Sequence, residues 1–249
     1  MEKIYGKIDN MAPGGTTYCP GCGHGIVVKL ISEVLHENNW EDLAVQVNGV
    51  GCYLNANGYI TNWDMIQTPH GRAASVATGA KHAAKDALVF SYQGDGDSSC
   101  IGMGETFHAA SRRYPITHIM INNQIYGMTG GQTSPTTLIG QVTTTTDKNG
   151  RDPEKTGWPT RMAEQIALTE GPAFVGRFAV NNPKNIIATK KAIEKAFRTQ
   201  LEDKRYSFLE ILTMCPTNWH VNPWDTPKYV DEKVLPTFPL GVFKDEEKK

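Results

Sequence analysis

Asp95 and Asn123 carry the most specific chemical expectation in this sequence. Asp95 lies in Gly94-Asp95-Gly96-Asp97, directly after the apolar run Leu88-Val89-Phe90-Ser91-Tyr92-Gln93. Asn123 closes Asn122-Asn123, directly after a second apolar run, Ile116-Thr117-His118-Ile119-Met120-Ile121. Two short strand-like runs around one helical segment make a βαβ unit, which brings both strand ends to one edge of a parallel sheet. Open α/β sheets bind ligands at that edge. A carboxylate and an amide there are oxygen ligands that suit Mg²⁺. Gly94 and Gly96 let backbone approach an anion closely, and the helix N-terminus beyond them favours phosphate. The expected chemistry is a diphosphate held through a metal. Gly-Asp-Gly alone is a common turn; the asparagine pair ending the next strand gives it weight.

The cysteines form the second constellation. Cys19-Pro20-Gly21-Cys22-Gly23-His24 is not a haem-attachment site, because Gly23 separates Cys22 from His24. A thioredoxin-type redox pair fits the helix that follows, whose Val27, Leu30, Ile31, Val34 and Leu35 share one face, but no strand precedes it. Ligation with distant partners is the other reading. Cys52 and Cys215 each follow a predicted strand (43–50 and 207–213), which would bring both to the sheet edge of Asp95. Residue pattern leaves zinc, an iron–sulfur cluster and buried structural thiols all open.

The elements that must position these groups are legible in outline. A chain of 249 residues with 39% hydrophobic content can build one sizeable core or two small ones. A net charge of −1 gives no sign of nucleic-acid or membrane-surface binding. No apolar run is long enough to span a membrane, the N-terminus lacks a signal-peptide core, and five cysteines without a secretion signal argue against a disulfide framework. The chain is expected to be soluble and cytoplasmic. Five strand-like runs (43–50, 88–93, 116–121, 173–180 and 207–213) alternate with helices. They predict one α/β domain, doubly wound, with a mainly parallel sheet. It would span 19–215, after an N-terminal arm (1–18) and before a Pro- and Trp-rich C-terminal extension (216–249) ending in a polar tail.

Helices are expected over 71–85, 159–169 and, capped by Asn182-Pro183, up to about 202. On the last of these, Lys184, Lys190, Lys191 and Lys195 are read as a solvated face. The Gly- and Thr-rich stretch 126–152 is too long for an ordinary connection. It is expected to cover a site or a subunit contact, the alternative being a flexible surface excursion.

Gly94-Asp95-Gly96, the spacer and Asn122-Asn123 resemble the thiamine diphosphate (TPP) fingerprint. That resemblance implies Mg²⁺ held by Asp95, Asn123 and the carbonyl of Ile125. Five motifs in one order widen it: Cys-Pro-Gly-Cys-Gly-His, Gly49-Val50-Gly51-Cys52, Pro69-His70-Gly71-Arg72-Ala73, Gly-Asp-Gly-Asp and Tyr126-Gly127-Met128-Thr129-Gly130-Gly131-Gln132. The set resembles the β subunit of 2-oxoacid:ferredoxin oxidoreductases along nearly the whole chain. By that resemblance the fold is the diphosphate-binding domain of TPP enzymes, and Cys19, Cys22, Cys52 and Cys215 bind one [4Fe–4S] cluster. Val50, Gly51, Cys52, Tyr53, His70, Gly94, Asp95, Gly96, Asp97, Asn123 and Gly127 contact the cofactor, with His70 against the diphosphate as the catalytic candidate. Cys100 has no counterpart in the cluster pattern and is read as a buried small hydrophobe.

The implied activity is oxidative decarboxylation of a 2-oxoacid to acyl-coenzyme A and CO₂, with electrons passing to ferredoxin. An α subunit would supply the pyrimidine-binding domain and its glutamate, since Glu105 lies at the wrong end of the cofactor. γ and δ subunits could bring ferredoxin-type clusters. The stretch 126–137 holds no Lys or Arg, and its Gly-Met-Thr-Gly-Gly-Gln form resembles members acting on branched-chain 2-oxoacids, so 2-oxoisovalerate or an aromatic relative is expected over 2-oxoglutarate. Arg72 or an arginine of a partner chain is the alternative source of charge. A non-redox TPP decarboxylase or lyase half and a zinc or redox scaffold subunit are the competing readings.

Overall fold

The computed structural model describes Ile8, Met11, residues 16–56 and residues 63–246. Most of the expected N-terminal arm, part of the segment after Cys52 and the tip of the polar tail lie outside the described residues. In chain order the elements are α1 (His24–Glu37), β1 (Ala44–Asn48), β2 (Asp64–Gln67), α2 (Ala73–Ala83), β3 (Leu88–Gly94), α3 (Met103–Ser111), β4 (Thr117–Asn122), β5 (Ile125–Tyr126), β6 (Gln132–Thr133), α4 (Pro153–Thr156), α5 (Met162–Ala167), β7 (Phe174–Ala179), α6 (Pro183–Leu201), β8 (Ser207–Leu212), α7 (Pro216–Trp219), α8 (Thr226–Tyr229) and β9 (Gly241–Asp245).

Seven strands form one sheet in the order β2-β1-β3-β4-β8-β7-β9, and every neighbouring pair is parallel except β7–β9. Side-chain alternation feeds two cores. Leu88, Phe90 and Tyr92 of β3 join one core with α1 and α6, while Val89 joins the other with α2, α3 and α5. Burial on both faces explains why these strands read as continuous apolar runs. The chain leaves β1 outward to β2 and returns on its other side as β3, so the strand order reverses between β1 and β3. A crevice opens outside the carboxyl ends at such a reversal.

The doubly wound, mainly parallel architecture is the one expected, with two strands more than the five read from the sequence. β2 is a short, partly exposed edge strand, and β9 carries Lys244 and Asp245 of the expected tail. The segment after Cys215 is also more than an appendage: Trp219, Val230, Val234 and Phe238 are buried in the α1–α6 core. The sequence expectation for α6 holds at its start, where Asn182 Oδ1 accepts from the Asn185 N–H at 2.9 Å and Pro183 opens the helix. Its lysine face is not simply solvated. Lys190 pairs with Glu33 and Glu37 of α1, and Lys195 pairs with Asp245 and lies 4.9 Å over the Phe174 ring. Among the described residues no helix is long and apolar enough to cross a membrane.

Candidate active site and thiol cluster

The β1/β3 crevice is a cleft of about 630 Å³. Three strand ends and one helix start build it. Val50, Gly51, Cys52 and Tyr53 follow β1, His70 precedes α2, Gly94 to Asp97 end β3, and Asn123, Ile125 and Gly127 follow β4; all of them line the cleft. The expected helical segment begins as a π-helical turn over Asp97–Ile101, before α3. Gly96 is required by packing: a Cβ there would lie 2.1 Å from the Tyr126 ring, whose hydroxyl donates to the Gly96 carbonyl at 3.0 Å.

Asp95 is buried, and burial pushes its carboxyl up to about 6. Donors hold it from going higher: Thr136 Oγ1 and Ser134 Oγ (3.0 Å) give to Oδ2, and the Gly96 N–H gives to Oδ1 at 2.8 Å. A buried carboxylate with hydroxyl and amide donors but no counter-cation is under-neutralised, which is the condition a divalent ion relieves. Asn123 stands beside it, with its carbonyl fixed by Trp219 Nε1 at 2.9 Å. The Asp95 carboxylate, the Asn123 amide oxygen and the Ile125 carbonyl are oxygen donors of the kind Mg²⁺ takes, and could hold it in this cleft.

Asp97 faces the other wall. It accepts from the Tyr53 hydroxyl and the Gly71 N–H, and its Oδ1 is 3.1 Å from His70 Nδ1. Burial raises the Asp97 carboxyl, and it drives the Tyr53 hydroxyl far above its ordinary range. His70 Nδ1 also lies 2.9 Å from the Val50 carbonyl. Both neighbours of Nδ1 are acceptors, so that nitrogen carries the proton and Nε2 is left to accept, or to donate once the ring is charged. His24 lines the cleft too, but its Nδ1 is tied to the Tyr92 hydroxyl at 2.9 Å and burial pulls the ring down to about 4. It serves as a neutral structural group.

The thiols of Cys22, Cys52 and Cys215 are raised, and the other cysteines of the set contribute to each. Cys22 is pushed up to about 12, first by burial and then by Cys215, Cys52 and Cys19. Cys52 is pushed up to about 11 by burial, Cys215 and Cys19, and Cys215 is raised by burial with Cys19 contributing. The four strand and turn positions therefore do bring their thiols within electrostatic reach. A Cβ on Gly127 would sit 3.2 Å from Cys52 Sγ and 3.6 Å from Cys215 Sγ, so this glycine keeps open the space between two of them. A metal-bearing cluster would stabilise these thiols as thiolates, so the four cysteines could serve as its ligands. Among the described residues no three His, Cys, Asp or Glu side chains converge as ligands of a single ion.

Comparison with known proteins agrees with this geometry. The family described as "Thiamine pyrophosphate enzyme, C-terminal TPP binding domain" matches residues 47–211. The chain is 33% identical to the 2-oxoglutarate synthase subunit KorB of Archaeoglobus fulgidus, over 93% of this chain and 85% of that protein. The chain belongs to the 2-oxoacid:ferredoxin oxidoreductase subunits. It is 40% identical to the ketoisovalerate oxidoreductase subunit VorA of Methanothermobacter thermautotrophicus, over 98% of this chain but 51% of that protein. The chain thus spans about half the length of the ketoisovalerate oxidoreductase subunits it matches. Its fold superposes with TM-score 0.77 on a 2-oxoglutarate:ferredoxin oxidoreductase from Magnetococcus marinus, at 23% identity, covering 99% of this chain and 87% of that one.

Several residues in and around the site of this oxidoreductase subunit escaped the sequence. Cys100 is exposed and lines the cleft beside Tyr126, which corrects the expectation of a buried thiol; the π-helical turn rotates it outward. Ser134 and Thr136 reach Asp95 from the 126–152 stretch. That stretch is no flexible excursion: it contains the β5–β6 hairpin and wraps around buried Arg151, whose guanidinium donates to six carbonyls, those of Ser134, Pro135, Thr137, Thr156, Gly157 and Trp158. Arg72, the alternative substrate cation, is engaged by Glu105. The one available signal was composition, because a lone Arg closing a Thr-rich stretch is a natural collector of carbonyls.

Proposed function

We propose that this chain is the TPP-binding, cluster-carrying subunit of a CoA-dependent 2-oxoacid:ferredoxin oxidoreductase. One observation carries the reading: Cys52 belongs to both constellations, lining the cleft that holds Asp95 and Asn123 while its thiol faces Cys215 across Gly127. A cofactor bound in the cleft would thereby adjoin an electron acceptor.

Asp95, Asn123 and the Ile125 carbonyl would hold Mg²⁺, and the Gly94–Asp97 backbone would approach the diphosphate. Cys19, Cys22, Cys52 and Cys215 would hold a [4Fe–4S] cluster, one thiolate per iron. Bound TPP supplies an electron sink for decarboxylation, and a cluster supplies a one-electron acceptor. His70, held by Asp97 and Val50 at Nδ1, would place Nε2 to hold or pass a proton at the cleft. Tyr53 and Tyr126 close its walls against water.

No Lys or Arg lines the cleft among the described residues, and Arg72 is occupied by Glu105. A second substrate carboxylate would therefore go unpaired in this chain. This favours a monocarboxylic, branched-chain or aromatic 2-oxoacid, in keeping with the ketoisovalerate oxidoreductase relative. With the assembled enzyme, kcat/KM for 2-oxoisovalerate should exceed that for 2-oxoglutarate; a tenfold preference for 2-oxoglutarate would overturn the assignment. A partner chain would provide the pyrimidine-binding half, coenzyme A would take the acyl group, and ferredoxin the electrons. The chain alone should turn over no 2-oxoacid. The direct test is anaerobic purification with co-expressed partners, followed by analysis of iron, acid-labile sulfide, magnesium and TPP per chain. Protein without TPP and sulfide after reconstitution would refute the proposal.

A further inference from the structure

Arg177 and Glu210 are register neighbours on β7 and β8, and both are fully buried. Such a pair is costly unless hydrogen bonds offset its desolvation, and here every polar side-chain atom of the two except Arg177 Nε has a partner. Here the partners are unequal in purpose. Arg177 is held from outside, by Glu164 Oε1 at 2.9 Å and the Pro239 carbonyl at 3.1 Å, with the Phe238 and Phe243 rings against it. Glu210 Oε2 accepts from Arg177 Nη2 at 2.9 Å and from the Ala163 N–H at 3.1 Å. That neutralises the carboxylate and fixes its plane. Its other oxygen, Oε1, accepts from Asn122 Nδ2 at 2.7 Å.

Asn122 ends β4, one residue before Asn123. Its Oδ1 accepts from both the Gln124 N–H (3.2 Å) and Gln124 Nε2 (2.8 Å). Those bonds close a turn in which Gln124 takes φ +59°, a left-handed conformation that residues other than glycine avoid. Inside that turn sits Asn123, whose Oδ1 is 3.3 Å from the Ile125 N–H. The aim of Asn123 and of the Ile125 carbonyl is thus set by an amide whose own orientation is dictated by a carboxylate.

We propose that Glu210 is a positioning residue for the cation site. Its Arg177-neutralised carboxylate selects the Asn122 amide orientation that shapes the Asn122–Gln124 turn, and so presents Asn123 and the Ile125 carbonyl to a divalent cation. This rests on the reading of the cleft as the Mg²⁺–TPP site.

The hydrogen bond has a polarity, and polarity can be reversed. In Glu210→Gln, either orientation of the new amide sets an NH₂ against a donor, Asn122 on one side or Arg177 and Ala163 on the other. In Asn122→Asp, two carboxylate oxygens face each other. In the double variant the glutamine NH₂ donates to the aspartate, reversing that one bond, while its carbonyl still accepts from Arg177 and Ala163, so every bond is remade. TPP affinity at saturating Mg²⁺ would be read by calorimetry on the full chain with its co-purifying partners. Each single variant should bind at least about tenfold more weakly, and the swap should return to within about threefold of the starting protein. Glu164→Gln, which loosens Arg177 from the far side, should lower the unfolding midpoint while leaving TPP affinity unchanged.

Single variants that bind like the starting protein would overturn the proposal. So would a folded swap as weak as the singles, because that would make the role mere packing. If a single variant does not fold, the swap compared with the starting protein decides. A starting protein that takes up no TPP would instead overturn the reading of the cleft on which the proposal stands.

Discussion

Arg151→Met should release the stretch that supplies donors to Asp95 without unfolding the domain. Arg151 is 5% exposed, and its Nη1 alone serves the Ser134, Pro135 and Thr137 carbonyls at 3.3, 2.9 and 2.7 Å. Methionine fills much of the same volume but donates nothing. Thr156, Gly157 and Trp158 are exposed, so water can replace the guanidinium at their carbonyls; at about 1 kcal/mol for each of the other three left without its donor, opening of this segment becomes easier by roughly 3 kcal/mol. That corresponds to roughly a hundredfold more time open. The sheet is not involved, so β3 and β4 should keep their protection while 132–158 loses it. Opening also withdraws Thr136 and Ser134 from Asp95, and Mg²⁺-dependent TPP binding should weaken with it. Hydrogen exchange followed by peptide mass analysis separates the two regions. Unchanged exchange in 132–158, or equal loss throughout the sheet, would refute the reasoning.

Asp95→Asn keeps the shape of the site but removes its anion, and should reduce Mg²⁺-dependent TPP affinity by about a hundredfold or more, the loss of a charge-assisted ligand; titration by calorimetry checks this. Proton competition should be visible at the same residue. Because burial holds the folded carboxyl near 6 against an unfolded value near 3.8, charged Asp95 penalises the metal-free fold above about pH 6, and its contribution to stability falls as pH rises from about 4 to 6. Mg²⁺ affinity should accordingly weaken as pH drops below about 6, with proton release on binding near that pH; an affinity independent of pH between 5 and 7 would contradict it. Replacing Cys19, Cys22, Cys52 or Cys215 by Ala should each lower iron and sulfide content, whereas Cys100→Ala should leave both intact, as measured in the reconstituted protein.

What the sequence disclosed depended on how local each signal was. Asp95 and Asn123 lie at the ends of apolar runs, so the pattern of the strands was enough to put both at one edge. The same logic placed Cys52 and Cys215. The reversal between β1 and β3 was not visible, because β2 is too short and too exposed to read as a strand. β9 was hidden in a charged tail, where antiparallel pairing with β7 requires little apolar content on its open side. Ser134 and Thr136 reach Asp95 across 39 and 41 residues, a closure that no local pattern encodes. Arg177 and Glu210 did leave a trace: each is a single charge inside a buried strand, and two opposite charges so placed point to a pair. Cys100 was misjudged because, lacking a place in the cluster pattern, it was read only as a small hydrophobe, whereas it lies exposed in a π-helical turn at the cleft.

The most direct test joins the cleft to the thiols in one experiment. The anaerobic assembly, loaded with TPP and Mg²⁺ and freed of ferredoxin, would be mixed with 2-oxoisovalerate and followed by low-temperature electron paramagnetic resonance, in parallel with the Cys52→Ala protein. The expected result is a reduced-cluster signal that requires TPP and is diminished when Cys52 is replaced. A TPP-loaded enzyme that decarboxylates the acid while its iron–sulfur signal is unchanged, or a signal that persists fully without Cys52, would contradict the assignment of both sites to this chain.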